Sequence, residues 1–283
     1  MPVEPRLTYP RLLSIAGTDC SGGAGMQADL KTFAALGCYG MSAITAVIAQ
    51  NTTGVQAITP VTPELLRAQI DSAVGDVGCD AAKIGLVPDV PSIRAVADAL
   101  RAHRLQPVVL DPVVVATSGC TLMEHSAASV LLQELAPLCQ LITPNLHEAQ
   151  LLAEQEINDV PGMLAAARSL QKRGASAVLL KGGHLAGDAL SDVLVLVDGS
   201  EHVFTDARID TCNTHGTGCT LSAAIACYLA LGCDMLQAVQ RGRVYLRGAL
   251  AAGANVRVGQ GHGPVNHGFD PQPMQTRPWN EQA

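Results

Sequence analysis

Short apolar runs rich in β-branched residues alternate along this chain with longer Ala/Leu-rich stretches of helical spacing, and that alternation constrains the fold more than any other feature. A strand that is apolar at consecutive positions is buried on both faces and needs helices above and below it. The pattern therefore predicts repeated βα units around a mostly parallel central sheet, an α/β fold. The predicted strands are Leu12–Ala16, Ser42–Ala49, Ala81–Ile84, Pro107–Leu110, Leu141–Thr143, Ala177–Lys181 and Asp192–Val197. The predicted helices are Gly25–Leu36, Pro63–Val74, Ser92–Ala102, Glu124–Leu135, His147–Glu154, Pro161–Arg173 and Gly218–Leu231. No linker or composition shift divides the chain, so residues 1–283 are read as one domain, with loosely ordered tails at about 1–10 and 270–283.

Composition narrows the function. A hydrophobic content of 48% excludes disorder, and a net charge of -7 with only four lysines and no basic run gives no footprint for nucleic acid or an anionic membrane. The longest apolar helical stretch, Cys219–Leu231, is about five residues short of a membrane span. The first residues, MPVEPRLTYPRLL, lack the apolar core of a signal peptide, and nine scattered cysteines without a Cys-x-x-Cys pair indicate reduced thiols. A cytoplasmic protein is expected.

Open α/β sheets bind ligands beyond the carboxyl ends of their strands, so the residues just after each predicted strand are the candidates for chemistry. The first such segment, GTDCSGGAGMQADLKT, formally matches a dinucleotide fingerprint at Gly23, Gly25 and Ala28. The next strand, however, ends in Gln50-Asn51 where the fingerprint needs an acidic residue. The reading preferred here is a glycine-rich turn closing on a small substrate, with Asp29 facing it.

No Gly-Lys dipeptide occurs, so there is no P-loop, and a nucleotide phosphate must be held another way. Gly216-Thr217-Gly218-Cys219 opens a long apolar helix, where converging N–H groups and the helix dipole favour an anion; the plain alternative is the start of a core helix. Cys219 lies in its first turn, where thiolates are favoured. Zinc at Cys212, His215 and Cys219 is a weak alternative, because the spacing is not standard and no fourth ligand is evident. Asp111, Asn145 and Glu148 follow two strands, and carboxylates in a phosphate crevice hold Mg2+; Asn145 with Glu148 equally reads as a helix capping box. Lys181 ends an apolar strand, a poor place for a solvated lysine and a good one for a phosphate partner.

Read in order, SIAGTDCSGGAGMQADLKTFAALGCYGMSAITAVIAQNTTGVQ, KIGL, LDPVVVATSG, TPNLHEA, LLKGGHL, NTHGTGCTLSAAIA and GHGPVNH resemble the ribokinase-like superfamily, and within it the bacterial hydroxymethylpyrimidine/phosphomethylpyrimidine kinases of thiamine biosynthesis. The resemblance implies a three-layer αβα ribokinase-like fold, a homodimer, and two successive ATP-dependent phosphorylations, of 4-amino-5-hydroxymethyl-2-methylpyrimidine and then of its monophosphate. Carried over by position, it implies a pyrimidine site at Gly17, Asp29, Ile48, Gln50, Leu86, Val113 and Cys219. Asn145, Lys181, Thr217 and Gly218 would serve ATP. Mg2+ would lie near Asp111 and Glu148, and the catalytic group would comprise Cys219, Lys181 and Gly216 to Gly218. The family more often has Pro at Cys20, Met at Leu86 and Val114, Lys at Thr117 and Pro at His147. Two other readings are a pyridoxal/pyridoxine kinase and a non-catalytic pyrimidine-binding sensor.

Overall fold

The computed structural model describes residues 6–114, 123, 125–183 and 189–279. Thr117, Cys120, Glu124 and His184 lie outside the described residues. In chain order the first half contains β1 (Leu7–Thr8), β2 (Arg11–Ala16), α1 (Gly25–Ala35), β3 (Tyr39–Ile44), β4 (Ala46–Asn51), β5 (Gly54–Pro60), α2 (Pro63–Asp76), β6 (Ala81–Ile84), α3 (Val90–His103) and β7 (Val108–Leu110). Then come α4 (His125–Val130), which runs into a π-helical turn at Leu131–Leu135, β8 (Leu141–Ile142), α5 (Leu146–Ala153), α6 (Val160–Lys172) and β9 (Val178–Leu180). The chain continues through β10 (Ala189–Val195), β11 (Glu201–Ala207), α7 (Thr217–Ala230), α8 (Met235–Gly253) and β12 (Arg277–Pro278).

Eight strands form the central sheet in the order β11-β10-β9-β8-β7-β6-β2-β3. The six from β3 to β9 run parallel, and β10 and β11 add an antiparallel hairpin at one edge. Successive residues of β2 point to opposite faces, and both faces are apolar: Leu13 and Ile15 join one core with α2, α3, α5 and α6, while Leu12 joins the other with α1, α7 and α8. The sheet thus lies between two helical layers. Because β2 sits between β3 and β6, the chain leaves it in one direction and returns on the other side, which opens a crevice at the carboxyl ends of these strands. Several helices start where a side chain caps them: Thr62, Asp89, Asp159 and Asp234 each accept a hydrogen bond from the backbone N–H three residues on.

Three expectations are corrected. The strand predicted over Ser42–Ala49 is two strands, because Thr45 turns the chain: its N–H donates to the Ala16 carbonyl and its hydroxyl to the Leu86 carbonyl. β4 beyond it leaves the main sheet and pairs with β5 as a separate antiparallel hairpin. The helix α8 was not predicted, since glycines and arginines interrupt its apolar pattern. Finally, much of the expected loose tails is held: β1 pairs with β12, the Gln272 and Gln275 amides donate to the Ala35 and Gly37 carbonyls, and Arg277 pairs with Asp80.

Candidate active site

A cleft of about 900 Å³ runs along the carboxyl ends of the parallel strands. At one end it is lined by Gly17 after β2, Ile48 and Gln50 on the β4–β5 hairpin, Leu86 after β6, and Val113 and Val114 after β7. These side chains form a small apolar wall, with Ala46, Ile48 and Leu86 buried together. Gly17 is glycine for want of room: a Cβ there would lie 2.9 Å from Ile48 Cδ1 and 3.2 Å from Leu86 Cδ2. Gln50 brings an amide to this wall. The register between β4 and β5 shifts at Ala49/Gln50, and such a bulge re-aims a side chain; Gln50 Nε2 donates to the Thr18 carbonyl at 3.1 Å.

Asp29 is placed otherwise than expected. It is fully buried behind the cleft rather than on its wall, and its carboxylate oxygens both lie 2.9 Å from Lys83 Nζ, with a hydrogen bond from Ser14. It is Lys83 that reaches the cleft. Burial alone would favour the neutral amine, but Asp29, with further negative charge from Asp111, holds Lys83 protonated above its ordinary value.

The middle of the cleft gathers the groups that sequence placed at a phosphate site. Gly216 (φ +80°) caps α7, and Thr217, Gly218 and Cys219 form its first turn. A Cβ on Gly216 would collide with the Gly23 carbonyl, so the two glycine-rich loops pack backbone to backbone. Lys181 Nζ lies 2.8 Å from Asp111 Oδ1, which also accepts from Thr143 Oγ1 at 2.9 Å. Burial disfavours both charges, yet each is held in its charged form by the other. Asn145 and Glu148 do form a capping box, each side chain accepting from the other's backbone N–H, at 2.9 and 2.7 Å. Burial raises the Glu148 carboxyl to about 7. Burial likewise raises the Cys219 thiol to about 11, against the lowering by Lys83, so the resting group is the thiol and not the thiolate that helix position suggested.

Would this arrangement hold a divalent cation? A hard cation such as Mg2+ takes one or two carboxylates and completes its shell with phosphate oxygens and water, and Asp111 and Glu148, two carboxylates lining one cleft, fit that donor set. A Cβ on Gly218 would sit 3.2 Å from Asp111 Oδ2 and 3.3 Å from Lys181 Nζ, so the glycine keeps this space open. Among the described residues no group of three or more His, Cys, Asp or Glu side chains is placed to bind a metal. His215, weighed above as a zinc ligand, instead bonds through Nε2 to Asp19 at 2.8 Å.

Three features escaped the sequence reading. Asp19 organises the first glycine loop: besides His215, its carboxylate accepts the N–H groups of Ser21, Gly23 and Ala24 and the Ser21 hydroxyl. Although burial opposes it, these bonds hold its carboxyl at about 2. Lys83 carries the same signal as Lys181, a lysine inside an apolar strand, and could have been found by it. The far end of the cleft is lined by Asp192, Asp206, Arg243 and Arg247; Arg243 bridges Asp192 at 2.9 Å and Asp206 at 2.7 Å. These residues come from β10, β11 and α8, two of which were not predicted.

Comparison with known proteins identifies the arrangement. The family model described as phosphomethylpyrimidine kinase matches residues 19–266. The hydroxymethylpyrimidine/phosphomethylpyrimidine kinase of Rhizobium meliloti is 49% identical over 257 residues, covering 90% of this chain and 96% of the relative. Among solved structures, an ADP complex of Bacillus subtilis pyridoxal kinase superposes with a TM-score of 0.85 at 36% identity, over 92% of this chain and 98% of that one. Phosphomethylpyrimidine kinase from Clostridium difficile 630 superposes with a TM-score of 0.76 at 39% identity, over 85% of this chain and 99% of that one. A ribokinase-like α/β chain with this cleft and this match belongs to the hydroxymethylpyrimidine/phosphomethylpyrimidine kinase family.

Proposed function

We propose that the cleft transfers the γ-phosphoryl group of ATP first to the hydroxymethyl oxygen of 4-amino-5-hydroxymethyl-2-methylpyrimidine and then to the phosphate so formed, in thiamine biosynthesis. The observation that carries this reading is the continuity of one cleft from Gln50 and its apolar wall, past Cys219, to Lys181 and the glycine-rich start of α7. The pyrimidine lies against Gly17, Ile48, Leu86 and Val113, with Gln50 on its polar edge. Asp29 acts through Lys83, since it does not reach the cleft wall itself.

Phosphoryl transfer leaves little covalent work to the protein, which acts by alignment and charge. The amides of residues 216–219 cradle the transferring phosphoryl group, Lys181 balances its charge, and Asn145 supports the nucleotide. Asp111 and Glu148 would hold Mg2+, which when bound would neutralise charge on the ATP phosphates. Cys219 accepts the hydroxyl proton in the first step; in the second step the acceptor is already an anion and needs no base. The protein is proposed to work in the cytoplasm as a homodimer.

The test is a coupled ADP-release assay with Mg-ATP and hydroxymethylpyrimidine, its monophosphate, pyridoxal and pyridoxine, with products resolved by mass. Turnover of both pyrimidines with diphosphate formed is expected; turnover of the vitamin B6 compounds alone would replace the reading with a pyridoxal kinase, and no turnover would return the sensor. In the same assay, Cys219→Ala should lower the first step about 100-fold or more while leaving the second within about threefold. Because the thiol sits near 11 and only the thiolate accepts a proton, the first step should also quicken as pH rises from 7 to 9. Equal losses in both steps would leave Cys219 a positioning group.

A further inference from the structure

Beyond the cleft wall, the tip of the β4–β5 hairpin is gripped by a segment more than two hundred residues away in sequence. The Thr52 carbonyl accepts the His262 amide at 2.9 Å, and Thr52 Oγ1 accepts the amides of Gln260 and Gly261, both at 3.2 Å. Two glycines make the approach possible. A Cβ on Gly259 (φ +78°) would collide with Thr52 Oγ1, and one on Gly261 with the Thr52 carbonyl. Neither glycine lines the cleft; beyond the positive φ of Gly259, what the missing side chains leave room for is this contact.

The gripping segment continues directly to the phosphate end of the cleft. The Gly263 carbonyl accepts the His215 amide at 3.0 Å, and Asn213 is held by the carbonyls of Gly253 and Val256, both at 2.7 Å. His215 then bonds to Asp19 and precedes Gly216, the cap of α7. On the hairpin side, Gln50 lies two residues before Thr52 at the bulge. The Ile48 amide donates to Thr18 Oγ1 at 2.8 Å, so the hairpin's cleft-facing strand is fixed at its base by Thr18 and at its tip by Thr52.

We propose that Thr52 is a positioning residue: by receiving three backbone amides from residues 260–262 it fixes the β4–β5 hairpin, and with it Gln50, relative to the loop that holds the phosphoryl group. The inference rests on the pyrimidine-kinase reading for its substrate and on the hairpin geometry for everything else. Thr52 touches no reacting atom. Its effect is on where Gln50 meets the substrate, and it should appear in substrate affinity and selectivity rather than in the chemical step.

Thr52→Val keeps the shape and removes the Oγ1 acceptor of two of the three bonds, leaving the carbonyl bond from His262, whereas Thr52→Ser keeps the hydroxyl. In Thr52→Val the KM for hydroxymethylpyrimidine should rise about tenfold, the change expected when a hydrogen-bonded anchor of ordinary strength is lost. The KM for ATP and kcat should stay within about twofold, and Thr52→Ser should behave as the unaltered protein. Hydrogen exchange supplies an arm that needs no substrate: in Thr52→Val the amides of Gln260 and Gly261 and those of β4 and β5 should exchange faster, with the sheet amides unchanged. An unaltered pyrimidine KM with faster exchange would overturn the positioning role, and unaltered exchange would overturn the clasp itself. Equal losses in kcat and both KM values, or failure of Thr52→Ser to restore function, would reduce Thr52 to general stability. Absence of pyrimidine turnover by the unaltered protein would count against the kinase reading, and the exchange arm would still decide the clasp.

Discussion

A buried ammonium is tolerated only when paired, and Lys83 meets that condition through its two contacts to Asp29 beneath the floor of the cleft. Removing one partner leaves the other charge buried and uncompensated. Lys83→Met should therefore lower stability by about 3–5 kcal/mol, while Lys83→Met combined with Asp29→Asn should regain most of that loss. Denaturant titrations of the two variants check this, and a double variant no better than the single would deny the pair its role. At this scale the sequence was informative for residues whose type is odd in its setting. Lys181 in an apolar strand, glycines before a helix and a carboxylate after a strand all came to one cleft. Asp29 misled because a carboxylate on a helix facing a predicted pocket looks the same whether it meets a ligand or a lysine. The partner, Lys83, is 54 residues away, and pairing at that range is a property of the fold.

Helices are legible in sequence when large apolar residues mark one face, and α8 buries mostly small ones instead, Ala238, Val239, Gly242, Ala249 and Gly253, with Tyr245 the one large side chain among them. Its glycines allow close packing on α7 and on the segment that follows. A Cβ on Gly242 would lie 2.8 Å from Ile225 Cγ1, whereas one on Gly75 in α2 would have nothing within 4 Å among the described residues. The same substitution should therefore have opposite signs at the two sites. Gly75→Ala should stabilise by about 0.5–1 kcal/mol through helix propensity. Gly242→Ala should lose more to overpacking than it gains from propensity, a net cost of about 1 kcal/mol. Thermal melts of the two variants read the signs directly. The hairpins β4–β5 and β10–β11 were only partly legible for a different reason. Each has a strand with many exposed positions and none that is buried, so pairing partners, not burial, define the strand.

At the scale of the molecule, the parallel order of the sheet and the edge on which the polar residues gather followed from the βα alternation, because strands buried on both faces leave few arrangements. The ends of the chain did not follow. A Pro- and Gly-rich composition predicted a loose tail, yet residues 272–279 are tied to α1 and to the first strand by backbone bonds, and to Asp80 by the Arg277 ion pair, none of which composition encodes. One of those bonds joins the Trp279 amide to the Arg6 carbonyl at 2.8 Å. Residues 6 and 279 are therefore neighbours in space, so a short linker can span them. A circular permutant with residues 6 and 279 joined by a short linker, and new ends opened at the exposed turn Asp198–Ser200, should fold to the same sheet order and keep its kinase turnover. Loss of the cooperative melt in such a permutant would mean that the order of synthesis, and not the set of contacts alone, is needed to reach this fold.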